Sequence, residues 1–190
     1  MAQAREPNAS DLAAACRALG RGGIVAYPTE AVFGLGCDPA NRDAVERLLA
    51  LKQRPVAKGL ILIAADEAQL EPWVEPLTPE LAARVEPTWP GPVTWLLPAT
   101  ATCPEYLRGA HDTIAARVTA HPGAAALCRA WGGALVSTSA NRAGAEPARD
   151  AAGVRAAFGR TIDYLLNAPT GGAPRPSSIR DARTGDTLRE

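Results

Sequence analysis

A short cluster of cations is the stretch of this sequence that most directly suggests chemistry. Lys52, Arg54 and Lys58 fall within seven residues, where a helical pattern stops and a strand-like run begins. The chain has no formal net charge, so the cluster is a local concentration of positive charge. Several cations on one short turn favour a multiply charged anion, most often a nucleotide polyphosphate. The alternative is a solvated helix end, where Lys and Arg complement the helix dipole.

Two runs of polar residues lie at the ends of predicted strands. Tyr27-Pro28-Thr29-Glu30 closes an apolar run that begins at residue 24, and Ser137-Thr138-Ser139-Ala140-Asn141 follows an apolar run at 134–136. Ligands of α/β proteins usually lie at strand ends, where hydroxyl and amide groups can hold phosphate or ribose oxygens. The alternative for both runs is an ordinary turn with a helix cap.

Arg117 lies inside an otherwise apolar run at 113–118. Its charge must face solvent, a cleft or a partner, and an arginine there suits a bidentate grip on a carboxylate. An outward-facing residue on a half-exposed strand is the alternative. Ser177 and Arg189 add a hydroxyl and a cation late in the chain, where a surface loop and a chain end are the plainer interpretation.

Several common catalytic and cofactor motifs are absent from the sequence. It contains no G-x-S-x-G, no G-x-x-x-x-G-K-[ST] and no G-x-G-x-x-G. Its four cysteines and two histidines have no zinc-site spacing, so we expect free thiols in a reducing compartment and no metal ligand set. The remaining candidates are cations and hydroxyls, which position substrates and neutralise charge, as nucleotidyl transfer requires.

Helical and strand-like segments alternate irregularly along the chain. Helices are predicted at 8–20, 41–52, 66–74, 79–85, 122–131 and 150–158, and strands at 24–27, 60–64, 93–97, 113–118, 134–136, 178–181 and 187–189. This pattern predicts one α/β domain over 8–190, after a flexible N-terminus at 1–7. We expect a twisted mixed (parallel/antiparallel) sheet flanked by helices, with a central cationic cleft. The Gly- and Pro-rich segment 168–176 is predicted to be either a mobile lid or a long surface connection.

Composition sets limits on partners and compartment. Charged residues make up 21% and are balanced, with a pI near 6.7, which argues against binding duplex nucleic acid by phosphate neutralisation. The N-terminus is polar and no apolar run reaches membrane-spanning length. We therefore expect a cytoplasmic protein with no membrane partner.

Taken together, these segments resemble the YrdC-like family of threonylcarbamoyl-AMP synthases, in its short bacterial form. The similarity runs from about residue 23 to 189. The motifs that carry it are Ala26-Tyr27-Pro28-Thr29-Glu30, Phe33-Gly34-Leu35-Gly36-Cys37-Asp38, Leu51-Lys52-Gln53-Arg54-Pro55, Lys58-Gly59-Leu60-Ile61-Leu62-Ile63, Trp89-Pro90-Gly91-Pro92-Val93-Thr94, Arg117-Val118 with His121-Pro122, the run 137–141, and Pro176-Ser177.

The resemblance implies a nucleotidyltransferase. L-Threonine and bicarbonate or CO₂ would give an N-carboxylated threonine, whose carboxylate attacks the α-phosphate of Mg²⁺-bound ATP. Pyrophosphate would leave, and the product would be L-threonylcarbamoyl-AMP. Downstream proteins would then move the threonylcarbamoyl group to an adenosine next to the tRNA anticodon, and a weak direct tRNA contact is a further expectation.

The resemblance also assigns roles to residues. Lys52 and Arg54 are expected to be catalytic and, with Lys58, to face the phosphates. ATP would further contact Ser139, Asn141 and Arg189. Threonine would contact Thr29, Arg117, Ser137 and Ser177, with Arg117 on its carboxylate and Tyr27 shaping the wall. Ala31, Gly59 and Ser178 depart from residues common in relatives, which affects the expected fine geometry.

Two other functions are compatible with parts of the pattern. A non-catalytic module could use the same cationic cleft to bind structured RNA, and its affinity would then fall steeply with salt. A carbamoyl-transfer domain of hydrogenase maturation has a similar fold, but it lies in a longer chain with acyl-phosphatase and zinc-finger regions. The neutral pI argues against the first, and the absence of those regions argues against the second.

Overall fold

The computed structural model describes residues 5–189, and nine strands within that range form one sheet. In chain order the strands are β1 (Val25–Pro28), β2 (Phe33–Gly36), β3 (Ile61–Ala64), β4 (Val93–Pro98), β5 (Thr113–Val118), β6 (Leu135–Ser139), β7 (Tyr164–Leu165), β8 (Ser178–Asp181) and β9 (Thr187–Arg189). Their order across the sheet is β7-β1-β2-β6-β3-β5-β4-β8-β9. The pairs β1/β7, β3/β5 and β4/β8 are parallel and the others antiparallel, which confirms the predicted mixed sheet.

Helices cover both faces of the sheet. They are α1 (Ala9–Leu19), α2 (Arg42–Lys52), α3 (Pro79–Val85), α4 (Glu105–Arg108), α5 (Pro122–Trp131) and α6 (Ala151–Phe158), joined by 3-10 turns at Val56–Lys58, Glu67–Leu70, Glu86–Thr88 and Gly159–Thr161. Because successive strand residues point to opposite faces, Leu62 packs in a cluster with α2, α3, α4 and α6, whereas Ile63 packs in a cluster with α1 and α5. Because such strands are buried on both faces, they appear in the sequence as continuous apolar runs.

Several element predictions were wrong in detail. The helix predicted at 8–20 is α1 (Ala9–Leu19), and Asn8 is its N-cap, because the Asn8 side chain accepts from the Asp11 amide. The helix predicted at 66–74 is only a short 3-10 turn. The strand β2 and the short elements β7 and α4 were not predicted, and β6 extends to Ser139.

The glycines of β2 explain why that strand was missed. Glycine is depleted in strands, yet a Cβ on Gly36 would lie 2.2 Å from the Val136 carbonyl oxygen and 2.8 Å from the Tyr27 ring. The Tyr27 side chain is fully buried and packs where side chains of β2 would otherwise lie. Glycine is therefore required here by close packing rather than by a turn.

The predicted domain limits remain a prediction. Most of the N-terminal segment predicted to be flexible, residues 1–4, lies outside the described residues, as does residue 190. Within residues 5–189, no helix has the length and apolar character needed to cross a bilayer.

Candidate active site

A cavity of about 330 Å³ opens between the ends of β1 and β6, the beginnings of β2 and β3, and the middle of β5. Pairing of Ile61 with Ser137 and of Gly34 with Ser139 brings the end of β6 beside the beginnings of β2 and β3. Four cationic side chains line the cavity: Arg54, Lys58, Arg117 and Arg189. The hydroxyl-bearing residues in the lining are Thr29, Ser137, Thr138, Ser139 and Ser177. Among the described lining residues, Glu30 is the one carboxylate.

The arginines of the cavity lie close enough to affect each other electrostatically. Burial lowers the pKa of Arg54. Burial also lowers the pKa of Arg189, and the charges of Arg117 and Arg54 lower it further. Arg54 Nε donates to the Gly59 carbonyl at 3.0 Å, and Arg189 Nη2 donates to the Ser177 carbonyl at 2.8 Å. Such mutual repulsion makes an anion between these groups favourable.

Lys52 points away from this cavity, toward the turn after β6. Its ammonium donates to the Ser139 carbonyl at 2.6 Å, to Asn141 Oδ1 at 2.8 Å and to the Asn141 carbonyl. A lysine has three donors, so all of them are used inside the protein. Burial, and then the charge of Arg54, lower the Lys52 pKa to about 8. The geometry gives Lys52 an organising role for the turn, and its contact with phosphates stays a prediction.

Arg117 is paired with Glu30. Arg117 Nη1 donates to Glu30 Oε2 at 2.6 Å, and Glu30 Oε1 accepts from the Thr119 hydroxyl at 2.7 Å and the Ala120 amide at 3.2 Å. The two side chains are 6% and 14% exposed. Burial raises the pKa of the Glu30 carboxyl, but the Arg117 charge and the Thr119 hydrogen bond outweigh that effect and leave this pKa below its ordinary value. The carboxylate is therefore ionised at neutral pH.

Hydroxyls predicted to bind threonine are also held in place. Thr29 Oγ1 donates to the Val32 carbonyl at 2.7 Å, and Ser177 Oγ lies 3.1 Å from Oγ1 of Thr94, a fully buried residue. Tyr27 lies behind the wall, with its hydroxyl donating to the Val136 carbonyl at 3.2 Å. Burial raises the Tyr27 pKa far above its ordinary value, so its hydroxyl stays protonated.

Eight of the eleven predicted site residues share the cavity lining. They are Thr29, Arg54, Lys58, Arg117, Ser137, Ser139, Ser177 and Arg189. Tyr27, Lys52 and Asn141 stand behind it as supports. The roles assigned to all eleven stay predictions.

Glu30 was not assigned a role from sequence, and the segment 168–176 was predicted to be either a mobile lid or a long surface connection. The segment is attached to the cavity's edge, because the Gly171 amide donates to the Thr29 carbonyl at 3.0 Å and the Ala173 amide donates to the Glu30 carbonyl at 2.8 Å. Nearer its beginning, the segment is held by His121, whose Nε2 donates to the Pro169 carbonyl at 3.0 Å. The other ring nitrogen, Nδ1, accepts from the Ala124 amide, which leaves the proton on Nε2. The adjacency of Glu30 to Thr29 was the available sequence signal.

Metal-ligating side chains do not converge in the part of the chain that the structure describes. Between residues 5 and 189, no group of three or more His, Cys, Asp or Glu residues could hold a metal ion. The four cysteines are free thiols.

Comparison with known proteins decides the family. The sequence pattern of the Sua5/YciO/YrdC family, described as "Telomere recombination", matches residues 17–190. The chain belongs to this family. The family resemblance predicted from the motifs is thereby confirmed.

Curated members of the Sua5/YciO/YrdC family are similar over nearly their whole length. A protein of Nitrosococcus oceani named threonylcarbamoyl-AMP synthase is 58% identical over 175 residues, which cover 92% of this chain and 95% of that protein. A protein of Halorhodospira halophila with the same name is 58% identical over 171 residues, which cover 90% of each chain.

Solved structures of the family share the fold. The chain superposes on P. abyssi Sua5 complexed with L-threonine with a TM-score of 0.84 and 30% identity, covering 90% of this chain. It spans about half the length of that Sua5 chain, of which the match covers 50%. E. coli YciO superposes with a TM-score of 0.86 over 100% of this chain and 96% of that one. At 24% identity, this similarity shows that the fold is shared and nothing more.

Proposed function

We propose that this chain is an L-threonylcarbamoyladenylate synthase, a nucleotidyltransferase that makes L-threonylcarbamoyl-AMP from L-threonine, bicarbonate or CO₂, and ATP. The observation that carries the proposal is the convergence of Arg54, Lys58, Arg117 and Arg189 on one cavity. Two comparisons support it: the name shared by the curated relatives, and the similarity to a Sua5 protein that was solved as a complex with L-threonine.

The reaction brings together groups of like charge. The threonine nitrogen bonds to the carbon of CO₂ or bicarbonate and loses a proton, and water leaves when bicarbonate is used. An oxygen of the resulting carbamate then bonds to the α-phosphorus, and the bond from that phosphorus to the bridging oxygen of pyrophosphate breaks. Carbamate, carboxylate and triphosphate are all anionic, so the barrier depends on charge neutralisation and in-line orientation.

The cavity residues divide naturally between the two substrates. Arg54, Lys58 and Arg189 supply charge for the triphosphate, and Ser139 supplies a hydroxyl beside them. Arg117 offers its free donors to the threonine carboxylate. Because Arg54 and Arg189 are held by hydrogen bonds to carbonyls and Arg117 by the Glu30 carboxylate, little reorganisation of these three groups is needed when charge develops.

Magnesium fits this site only as a companion of the nucleotide. The one carboxylate among the described lining residues, Glu30, is engaged by Arg117 and Thr119. Mg²⁺ takes oxygen ligands from phosphates and water, so we propose that it enters with ATP and lowers the charge of the triphosphate. No protein ligand to it is assigned.

The proposal places the enzyme before proteins that modify tRNA. Its product would be the first intermediate of threonylcarbamoyladenosine formation next to the anticodon, with a weak tRNA contact. A cytoplasmic location is consistent with four free cysteines, three of them buried.

The decisive experiment measures pyrophosphate release while each substrate is omitted in turn. We expect release only with ATP, threonine and bicarbonate together, and mass spectrometry with ¹³C-bicarbonate should find one label in a mixed anhydride with AMP. Arg54→Ala should lose most turnover, whereas Arg160→Ala, an exposed arginine outside the cavity lining, should retain it. No product with all three substrates, together with salt-sensitive RNA binding that needs no ATP, would instead favour the RNA-binding module.

A further inference from the structure

Glu30 accepts four hydrogen bonds at the threonine side of the cavity, three of them on its carboxylate. Its carboxylate accepts from Arg117 on β5 and from Thr119 just beyond that strand. Its main-chain carbonyl accepts from Ala173, in the segment that borders the cavity. The residue follows β1, 87 positions before Arg117 in sequence. This one residue therefore fixes the relative positions of β1, β5 and segment 168–176.

The hydrogen bonds of Arg117 are incomplete without a ligand. A guanidinium has five N–H donors, and the described residues accept from only one nitrogen, Nη1. Nε is buried and has no partner within residues 5–189. Arg117 nevertheless lines the cavity. The Glu30 contact thus fixes one edge of a planar fork, and Nη2, which no described residue engages, is left for a carboxylate.

Glu30 itself is a poor candidate for direct contact with an anionic substrate. Both of its carboxylate oxygens already accept hydrogen bonds from protein donors. A negative charge there would otherwise repel a substrate carboxylate. Two opposing effects follow: Glu30 orients Arg117, which favours threonine binding, and it partly neutralises Arg117, which disfavours it. For a nearly buried guanidinium, orientation outweighs the lost charge because misdirected donors make no hydrogen bond at all.

We infer that Glu30 is the positioning residue of the threonine subsite, which holds Arg117 so that its remaining donors meet the amino-acid carboxylate. This inference rests on the proposed function. Glu30 sets threonine affinity, and it leaves the ATP side of the cavity, at Arg54 and Lys58, unaffected.

Glu30→Gln is the sharpest test of this role. Glutamine keeps the size of the side chain and one oxygen that can accept from Thr119. Its amide group, however, is a donor facing Arg117 Nη1, so that this nitrogen loses its acceptor. We expect threonine Kd by calorimetry to rise about ten-fold or more, and the KM for ATP to change by less than about two-fold. Glu46→Gln is the matched control, because it removes a 2.7 Å Glu–Arg pair on the exposed surface of α2.

A double-variant cycle separates positioning from a general structural effect. If Glu30 acts through Arg117, then Glu30→Gln should change threonine affinity by less than about two-fold in an Arg117→Lys background. Equal effects in both backgrounds would overturn the inference, and so would tighter threonine binding by Glu30→Gln alone. Should Glu30→Gln fail to fold, Thr119→Val, which removes one hydrogen bond from the same carboxylate, should weaken threonine binding without changing the KM for ATP.

The inference and the proposed function fail in different ways. A wild-type protein that neither binds threonine nor forms product contradicts the function. A wild-type protein that makes product, with threonine affinity unchanged in both Glu30→Gln and Thr119→Val, contradicts only the positioning role.

Discussion

Replacing Lys52 by methionine tests whether this lysine organises the turn beside the cavity. Methionine is unbranched and fills a similar space, so the change removes the ammonium without a large void. The three oxygens that accept from Lys52 all belong to Ser139 and Asn141. Because Ser139 also lines the cavity, the loss should reach the nucleotide side of the site as well as the stability of the fold.

The expected loss of stability depends on which hydrogen bonds remain in the Lys52→Met variant. The Ser139 carbonyl still accepts from the Asn141 amide at 3.0 Å, and Asn141 Oδ1 still accepts from the Ser139 hydroxyl at 2.6 Å. The Asn141 carbonyl has no other donor among residues 5–189. One orphaned acceptor costs about 1–3 kcal/mol, which corresponds to a fall in Tm of roughly 2–12 °C for a chain of this size.

Thermal unfolding and steady-state kinetics provide the measurements, with Lys58→Met as the matched control. Lys58 is exposed and lines the cavity mouth, so its loss should raise the KM for ATP without changing Tm by more than about 1 °C. Lys52→Met should raise the KM for ATP and also lower the Tm. If the two variants prove equally stable, Lys52 does not organise the turn, and a role confined to the substrate would have to replace it.

Three further outcomes are expected. Because the Lys52 pKa is about 8, its ammonium is protonated below that pH and loses its charge above it; the KM for ATP should therefore rise as pH passes 8, and a flat profile would contradict the organising role. Arg189→Ala should raise the KM for ATP several-fold with little change in Tm, since the residue lies on the edge strand β9 and its hydrogen bond to the Ser177 carbonyl is at the surface; an unchanged KM would remove it from the site. Gly36→Ala should lower the free energy of unfolding in urea by about 2 kcal/mol or more, because its Cβ would meet the Val136 carbonyl at 2.2 Å, whereas Gly133→Ala, whose nearest contact is 3.9 Å, should change it by less than about 0.5 kcal/mol.

The sequence predicted the elements better than the directions of their side chains. The helix predicted at 79–85 forms as α3, and the strands predicted at 178–181 and 187–189 form as β8 and β9. The cationic cluster at 52–58 was also identified from the sequence, but in the structure its side chains point in different directions. Gln53 adopts a left-handed conformation at φ 49°, so Lys52 turns toward the core and Arg54 toward the cavity. Residue spacing alone does not reveal a left-handed residue of this kind.

Long-range pairing explains the rest of the difference. Arg117 was identified because a charge in an apolar strand needs a partner, but that partner lies 87 residues away. Strand order determines which residues meet across the sheet, and a single sequence does not specify strand order. The same holds for Thr94 and Ser177, which are joined only because β4 and β8 are parallel neighbours.

The attachment of segment 168–176 through main-chain atoms leaves most of its side chains open to redesign. Its amides at Gly171 and Ala173 donate to the carbonyls of Thr29 and Glu30. Positions 171 and 172 are exceptions, since a Cβ on Gly171 would lie 2.9 Å from the Glu30 carbonyl oxygen and Gly172 adopts a φ of 75°, which favours glycine. Variant libraries could therefore diversify other positions of the segment to alter access to the cavity, provided that both glycines are retained.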